Sequence, residues 1–152
     1  ANVYGPGQQL YRIIPRSILS ALTGEKMTLH GGGVSIRSFI HIDDVVNATL
    51  KLALEAESGT TWHLSTKDSI SILNLVKKIF QMTGSEFDNI VDIGQERLGK
   101  DQSYLLDSES IRRKFKWEDH ISLEEGLSQT LSWIKTHLCI LKKLEWDYQH
   151  KQ

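Results

Sequence analysis

Cysteine is almost absent: Cys139 is the single one among 152 residues, so no internal disulfide can form. Cys139 lies in an apolar stretch, where a thiol is expected to pack rather than react. A reducing, cytoplasmic home is the expectation. Long apolar runs are missing too. None approaches the roughly 20 residues that a membrane-spanning helix needs, so no membrane partner is expected. The opening residues ANVYGPGQ have neither a basic start nor an apolar segment, and no signal peptide is expected. Neither charge sign dominates: 18 Lys and Arg face 19 Asp and Glu, for a net charge of −1. Without a basic excess, a nucleic-acid partner is not expected. Six histidines are present, and none stands at ligand spacing from another His or Cys, so no metal is expected. No Gly-x-Ser-x-Gly elbow holds a serine nucleophile. The triplet Gly31-Gly32-Gly33 lacks the following helix that opens on Lys-Ser/Thr, which makes it a turn rather than a phosphate loop. Repeats, low-complexity tracts and linkers are also missing, and residues 1–152 are expected to form one domain.

What is present centres on Ile36 to Val45, IRSFIHIDDV. Its apolar spacing changes from two to about three and a half, which predicts a buried strand running into a helix. Asp43 or Asp44 is placed to N-cap that helix and to meet the positive end of its dipole. Being adjacent, the two point different ways and suit capping better than acid/base catalysis. Arg37 would stand at the mouth of the strand–helix junction, where α/β proteins place ligands; a solvated surface arginine is the competing reading. His41, on a buried strand, is expected to be a hydrogen-bonded core residue.

The remaining elements follow from period and punctuation. Gly5-Pro6-Gly7 marks a loop. Arg12 to Leu22 reads as a helix ended by Gly24, and Met27 to His30 as a short strand. The helix begun at Asp43 or Asp44 is expected to end near Glu57. Thr60 to Ser65 is rich in β-formers and reads as a strand. Ser71 starts a helix closed by Gly84, followed by a strand at Ile90 to Ile93, a polar loop to Ser103 and a strand at Tyr104 to Leu106. Ser108 is expected to cap a helix to Phe115, with Trp117 packed behind it. Ser122 to Glu125 reads as a capping box whose helix turns Leu123, Leu127, Leu131, Ile134 and Leu138 inward. The tail from Lys142 has no predicted place. The order is mixed α/β.

Several of these stretches resemble one family. Asn2-Val3-Tyr4-Gly5-Pro6, Arg12-Ile13-Ile14-Pro15, and Ile36 through Val45 resemble the second half of an extended short-chain dehydrogenase/reductase. Within that superfamily they are most similar to NAD-dependent nucleotide-sugar 4,6-dehydratases of the dTDP-glucose type. Glu96 to Asp101, then Tyr104 and Asp107, then Phe115-Lys116-Trp117, resemble that family's Arg-Pro-Gly-His-Asp loop and its downstream Leu-Gly-Trp. The likeness thins after about Leu138. It implies the C-terminal part of a Rossmann-like fold with a small mixed α/β substrate-binding lobe.

The family's Gly-x-x-Gly-x-x-Gly turn and Tyr-x-x-x-Lys pair have no counterpart; Tyr11, for example, is followed four residues on by Pro15. The resemblance therefore implies a substrate-binding portion without catalytic residues of its own, with NAD held mainly by a half outside these residues. In the intact enzyme, NAD would take a hydride from C4 of the sugar. A dehydratase then loses water across C5–C6 and returns the hydride to C6, whereas an epimerase returns it to the other face of C4. A nucleotide-sugar 4-epimerase and a non-catalytic nucleotide-binding module are the alternatives.

The resemblance also implies site residues. Asn2 matches a substrate contact, and Val3 stands where the dehydratases have an asparagine near NAD. Arg12 and Ile13 match a basic–apolar pair lining the nucleotide sugar. Thr28, Leu29 and His30 match the strand that contacts base and ribose. Arg37 and Arg97 match two arginines on the diphosphate, flanked by Glu96 and Lys100, and His63 stands where an asparagine is usual. Tyr104 completes the expected substrate contacts. Guanidinium forks suit a diphosphate because they bind it bidentately. The partner implied is a nucleotide-diphosphate sugar, and the intact enzyme is expected to be a homodimer. The strand at Thr61 to Ser65 is expected to lack its family partner, leaving an apolar sheet edge that could pair with another chain.

Overall fold

The computed structural model describes residues 1–95 and 101–148. Among these residues, seven short strands and six α-helices follow in the order β1 (Asn2–Tyr4), α1 (Ile13–Thr23), β2 (Met27–His30), β3 (Ile36–Arg37), β4 (Phe39–His41), α2 (Ile42–Glu55), β5 (Ile70–Ser71), α3 (Ile72–Thr83), α4 (Phe87–Ile90), β6 (Val91–Gly94), β7 (Ser103–Tyr104), α5 (Glu109–Phe115) and α6 (Leu123–Leu141). The fold is mixed α/β, as the alternating periods require. β1 pairs with β4 and β2 with β6, both in parallel. β3 lies between β5, antiparallel, and β7, parallel.

Three apolar clusters hold these elements. The largest packs Ile14, Ile18 and Leu19 of α1 against Leu75 and Ile79 of α3 and Leu127, Leu131 and Ile134 of α6. α1 forms because its apolar residues recur on one face, and Pro15 sits in the first turn, where no N–H partner is lost. Gly24 ends it with φ 76°, a left-handed value that lets its N–H reach the Ser20 carbonyl. The second cluster joins Ala21 of α1 to Met27 and Leu29 of β2, Val76 and Phe80 of α3, and Val91 of β6. The third sets Ile40 of β4 and Ala48 of α2 against Ile111, Phe115 and Trp117. Trp117 thus packs behind α5 as its spacing suggests.

Some local expectations need correction. The stretch at 36–41 is two strands rather than one. Ser38 divides them, because the pairing partners change there: β3 pairs with β5 and β7, and β4 with β1. Neither Asp43 nor Asp44 caps α2. His41 does, accepting the Asp43 N–H on Nδ1 at 3.4 Å. Asp44 is instead buried and accepts the N–H groups of His120 (3.0 Å) and Ile121 (3.1 Å), tying α2 to the approach of α6. Its location inside the first turn turns the carboxylate outward from the helix end, towards donors distant in sequence.

The residues 60–65 form no strand. The Ser65 carbonyl accepts from the Ser108 and Arg112 side chains, so side chains replace a strand ladder there. Ser108 spends its hydroxyl on that contact, and Asp107 accepts the Glu109 N–H in its place. Ile90 belongs to a one-turn helix rather than to β6. Cys139 is exposed, on the outward side of α6. Ser71 and Ser122 do cap α3 and α6, accepting the N–H groups of Asn74 and Glu125. α2 ends at Glu55, two residues before its predicted limit. The tail after α6 folds back onto the first cluster through buried Trp146.

Candidate functional site

The parallel pairing of β1 with β4 sets Asn2 beside Phe39 and Tyr4 beside His41. Both strands therefore end at the same level, where β1 runs into the loop Gly5 to Gln9 and β4 into α2. A cleft of about 1130 Å³ opens there. Its walls are β1 and its loop, the start of α1, the β3–β4 junction, Ile42, Ile72 and Tyr148. Ligand sites of open α/β sheets sit in this place, outside the carboxyl ends of parallel strands.

The floor is fixed by Tyr4 and His41, whose rings meet edge-on at 5.5 Å. The Tyr4 hydroxyl donates to the Leu123 carbonyl at 3.3 Å. Burial, reinforced by the carboxylates of Asp44 and Glu125, pushes the phenol well above its ordinary value. Tyr4 is therefore a neutral anchor and not a base. Gly5, with φ 152°, lets the loop lie directly on α2: a Cβ there would stand 2.6 Å from Ile42 Cγ2 and 3.1 Å from His41 Nε2. Gln8 Nε2 donates to the Val3 carbonyl at 2.6 Å and folds the loop back on its own strand.

Five of the expected site residues meet in the cleft: Asn2, Val3, Arg12, Ile13 and Arg37. The Asn2 amide donates to the Ser38 carbonyl at 3.2 Å. Arg12 sits at the N-cap of α1 with its guanidinium over the Tyr11 ring, 5.5 Å from the centroid. Arg37 is held by carbonyls: Nη1 donates to Ile36 (2.7 Å) and Gln102 (3.4 Å), and Nη2 to Asp101 (2.7 Å). Among the described residues, the lining carries these two arginines and no carboxylate. Such a cleft favours an anion.

Other expected residues lie apart. Leu29 is 3 % exposed and belongs to the second cluster, so its side chain is committed to packing. Thr28 and His30 stand on β2, beside Asp92 and Gly94 of β6, outside the cleft lining. His63 is exposed on the extended segment after α2 and is not in the lining. Tyr104 is exposed on β7 directly beside Arg37. Glu96, Arg97 and Lys100 lie outside the described residues. The segment that holds them leaves from Gly94, next to His30, and returns at Asp101, next to Arg37.

Sequence reasoning missed Tyr11, Gln8 and Tyr148, which also line the cleft. Tyr148 comes from the tail, which in sequence is a polar run with two aromatics, Trp146 and Tyr148, and no signal of where they go. No group of three potential metal ligands occurs among the described residues, and no helix among them is long and apolar enough to cross a membrane.

Parallel strands feeding helices, with a cleft at their carboxyl ends, give the Rossmann-like architecture of extended short-chain dehydrogenases/reductases. Comparison with known proteins agrees. The NAD dependent epimerase/dehydratase family matches residues 1–65. A dTDP-glucose 4,6-dehydratase of Mycobacterium tuberculosis (strain ATCC 25618 / H37Rv) is 30% identical over 139 residues, covering 89% of this chain and 41% of that protein. The dTDP-glucose 4,6-dehydratase of Bacillus anthracis, solved in complex with NAD, superposes with a TM-score of 0.87 at 25% identity, over 95% of this chain and 45% of that one. The UDP-glucose 4-epimerase of Thermotoga maritima, solved with UDP-glucose, superposes with a TM-score of 0.82 at 30% identity, over 91% of this chain and 45% of that one. The comparisons support assigning residues 1–65 to the NAD dependent epimerase/dehydratase family. It spans less than half the length of each of these three relatives.

Proposed function

We propose that this chain carries the nucleotide-sugar-binding cleft of an NAD-dependent nucleotide-sugar 4,6-dehydratase. The observation that carries this reading is the cleft wall itself. Arg12 and Arg37 face one space at the carboxyl ends of parallel strands, and no carboxylate among the described residues opposes them. A diphosphate is multiply charged and offers paired oxygens that match a guanidinium fork. Three backbone carbonyls hold the Arg37 guanidinium, so its orientation is set before a ligand arrives. Arg97, in the segment that returns beside Arg37, is proposed as the second diphosphate ligand. Asn2 is proposed as a sugar contact.

The residues here do not themselves fit NAD. The loop from β1 to α1 carries Gly5-Pro6-Gly7 without the Gly-x-x-Gly-x-x-Gly spacing, the helix opens on Arg12-Ile13-Ile14-Pro15, and the Val3 carbonyl is already taken by Gln8. The dinucleotide is proposed to be bound mainly by the part of the relatives that this chain does not span, and no chemical step is assigned to residues of this chain. The apolar stripe of Val46, Leu50 and Leu54 on α2, each more than half exposed, supports such a missing neighbour. A homodimer of the whole enzyme is part of the same reading. Nucleotide-sugar 4-epimerisation is the second reading, favoured by the higher identity to the Thermotoga maritima epimerase than to the Bacillus anthracis dehydratase.

Calorimetric titration tests the assignment. The chain is expected to bind dTDP-glucose or UDP-glucose, and the corresponding diphosphates, more tightly than the bare nucleosides. NAD is expected to show no micromolar binding and the chain no turnover. Tight NAD binding would overturn the division of labour. Equal affinity for nucleoside and diphosphate would overturn the cleft assignment.

A further inference from the structure

We propose that Tyr148, carried by the tail after α6, is the wall of the cleft against which the hexose of the nucleotide sugar stacks. The proposal rests on the nucleotide-sugar reading above and adds a sugar-recognition residue to it.

The tail is built to hold Tyr148 in place. Two residues before it, Trp146 is 6 % exposed and packs in the first apolar cluster. Its indole N–H donates to the Leu141 carbonyl at 2.8 Å. The Arg16 guanidinium of α1 lies over the indole at 5.2 Å, and its Nη2 stands 3.8 Å from Asp147. The tail is thus fastened to α6 through the Trp146 indole N–H and to α1 through Arg16. The next residue out is Tyr148, whose ring meets Tyr11 at 5.1 Å with planes 69° apart. Tyr11 is the residue before Arg12, so the aromatic pair borders one of the two cationic walls of the cleft.

Tyr148 is 59 % exposed, yet it lines the cleft. The cleft lining also carries neutral amides, Asn2, Gln8 and Gln9. A hexose has an apolar C–H face that lies well on an aromatic ring, and hydroxyls that pair with amides as both donors and acceptors. Pre-fastening the ring lowers the ordering cost of that contact. Tyr11 acts as a positioning residue: Arg12 lies over its ring while it meets Tyr148 edge-on.

The test is calorimetric binding of UDP-glucose and UDP, with dTDP-glucose and dTDP as a parallel pair, to wild type, Tyr148→Ala and Tyr148→Phe. An aromatic contact of this kind corresponds to about a three- to tenfold change in affinity. Tyr148→Ala is expected to weaken the nucleotide sugar by that factor and leave the diphosphate unchanged, whereas Tyr148→Phe keeps sugar binding. Equal weakening of sugar and diphosphate would show that the ring only shapes the start of α1 or meets the base, and would overturn the proposal. No change with either variant would overturn it as well. Absence of diphosphate binding by wild type would sink the nucleotide-sugar reading itself, an outcome distinct from selective failure at Tyr148.

Discussion

Seven of the eleven residues of α1 are buried, against two of the fourteen of α2. Both helices carry enough apolar residues to fill two faces. α1 lies between α3 and α6 and also touches β2, so each apolar face finds a partner. α2 meets β4 and β1 on one side, and turns Val46, Leu50 and Leu54 to solvent on the other. The contrast teaches where this chain is self-sufficient. The region around α1 has a closed core, and the region around α2 has half of one. The cleft lies on the seam, with Arg12 to Ile14 from the start of α1 and Ile42 from the start of α2.

Substitutions can break or sharpen this contrast. Ile134 of α6 is fully buried in the closed core. Ile134→Ala is expected to cost about 2–5 kcal/mol through lost burial and the cavity left behind, read as a lower midpoint in urea unfolding. Asp44 is the main polar tie between α2 and the α6 approach. Asp44→Ala is expected to cost about 2–3 kcal/mol, because two part-buried N–H groups lose a charged acceptor; a cost near zero would mean that α2 is held by apolar contacts alone. Tyr4 gives a pH handle on the same seam. Its folded-state pKa is raised, so its contribution to stability is full below about pH 10, the unfolded value, and falls as the unfolded phenol ionises above that pH. Tyr4→Phe should remove this part of the alkaline loss, measured as the difference in melting temperature between pH 8 and pH 10.5. The smallest effect belongs to the open face. Leu54→Ser is expected to change stability by less than about 0.5 kcal/mol. A loss like that of Ile134→Ala would show that the α2 face is covered in solution by something these residues do not include.

The closed region was the more legible in sequence. Ile14, Ile18 and Leu19, or Leu127, Leu131 and Ile134, recur at helical spacing, and Gly24, Gly84, Ser71 and Ser122 mark their ends by local chemistry. Those signals need no knowledge of distant partners. Asp44 was misread because its role as an acceptor is decided by the N–H groups of His120 and Ile121, 76 and 77 residues away. The segment 60–65 has β-forming residues, but a strand requires a ladder, and Ser108 and Arg112 take its carbonyl instead. In the cleft, Asn2, Arg12 and Arg37 could be named from the resemblance to a known family. Tyr148 could not, since its place depends on how Trp146 enters a core built from α1 and α6.

The central claim is that Arg37 holds a diphosphate, and the most direct test is competitive binding to wild type, Arg37→Ala and Arg37→Lys. The ligands are a nucleoside, its diphosphate and its diphosphate sugar. Loss of charge-assisted hydrogen bonds worth about 1.5–3 kcal/mol predicts that Arg37→Ala weakens the diphosphate and the sugar by about tenfold to a hundredfold. The nucleoside should be unaffected, and Arg37→Lys should recover part of the loss, since the charge remains while the fork is gone. An alanine variant that keeps full preference for the diphosphate over the nucleoside would contradict the account.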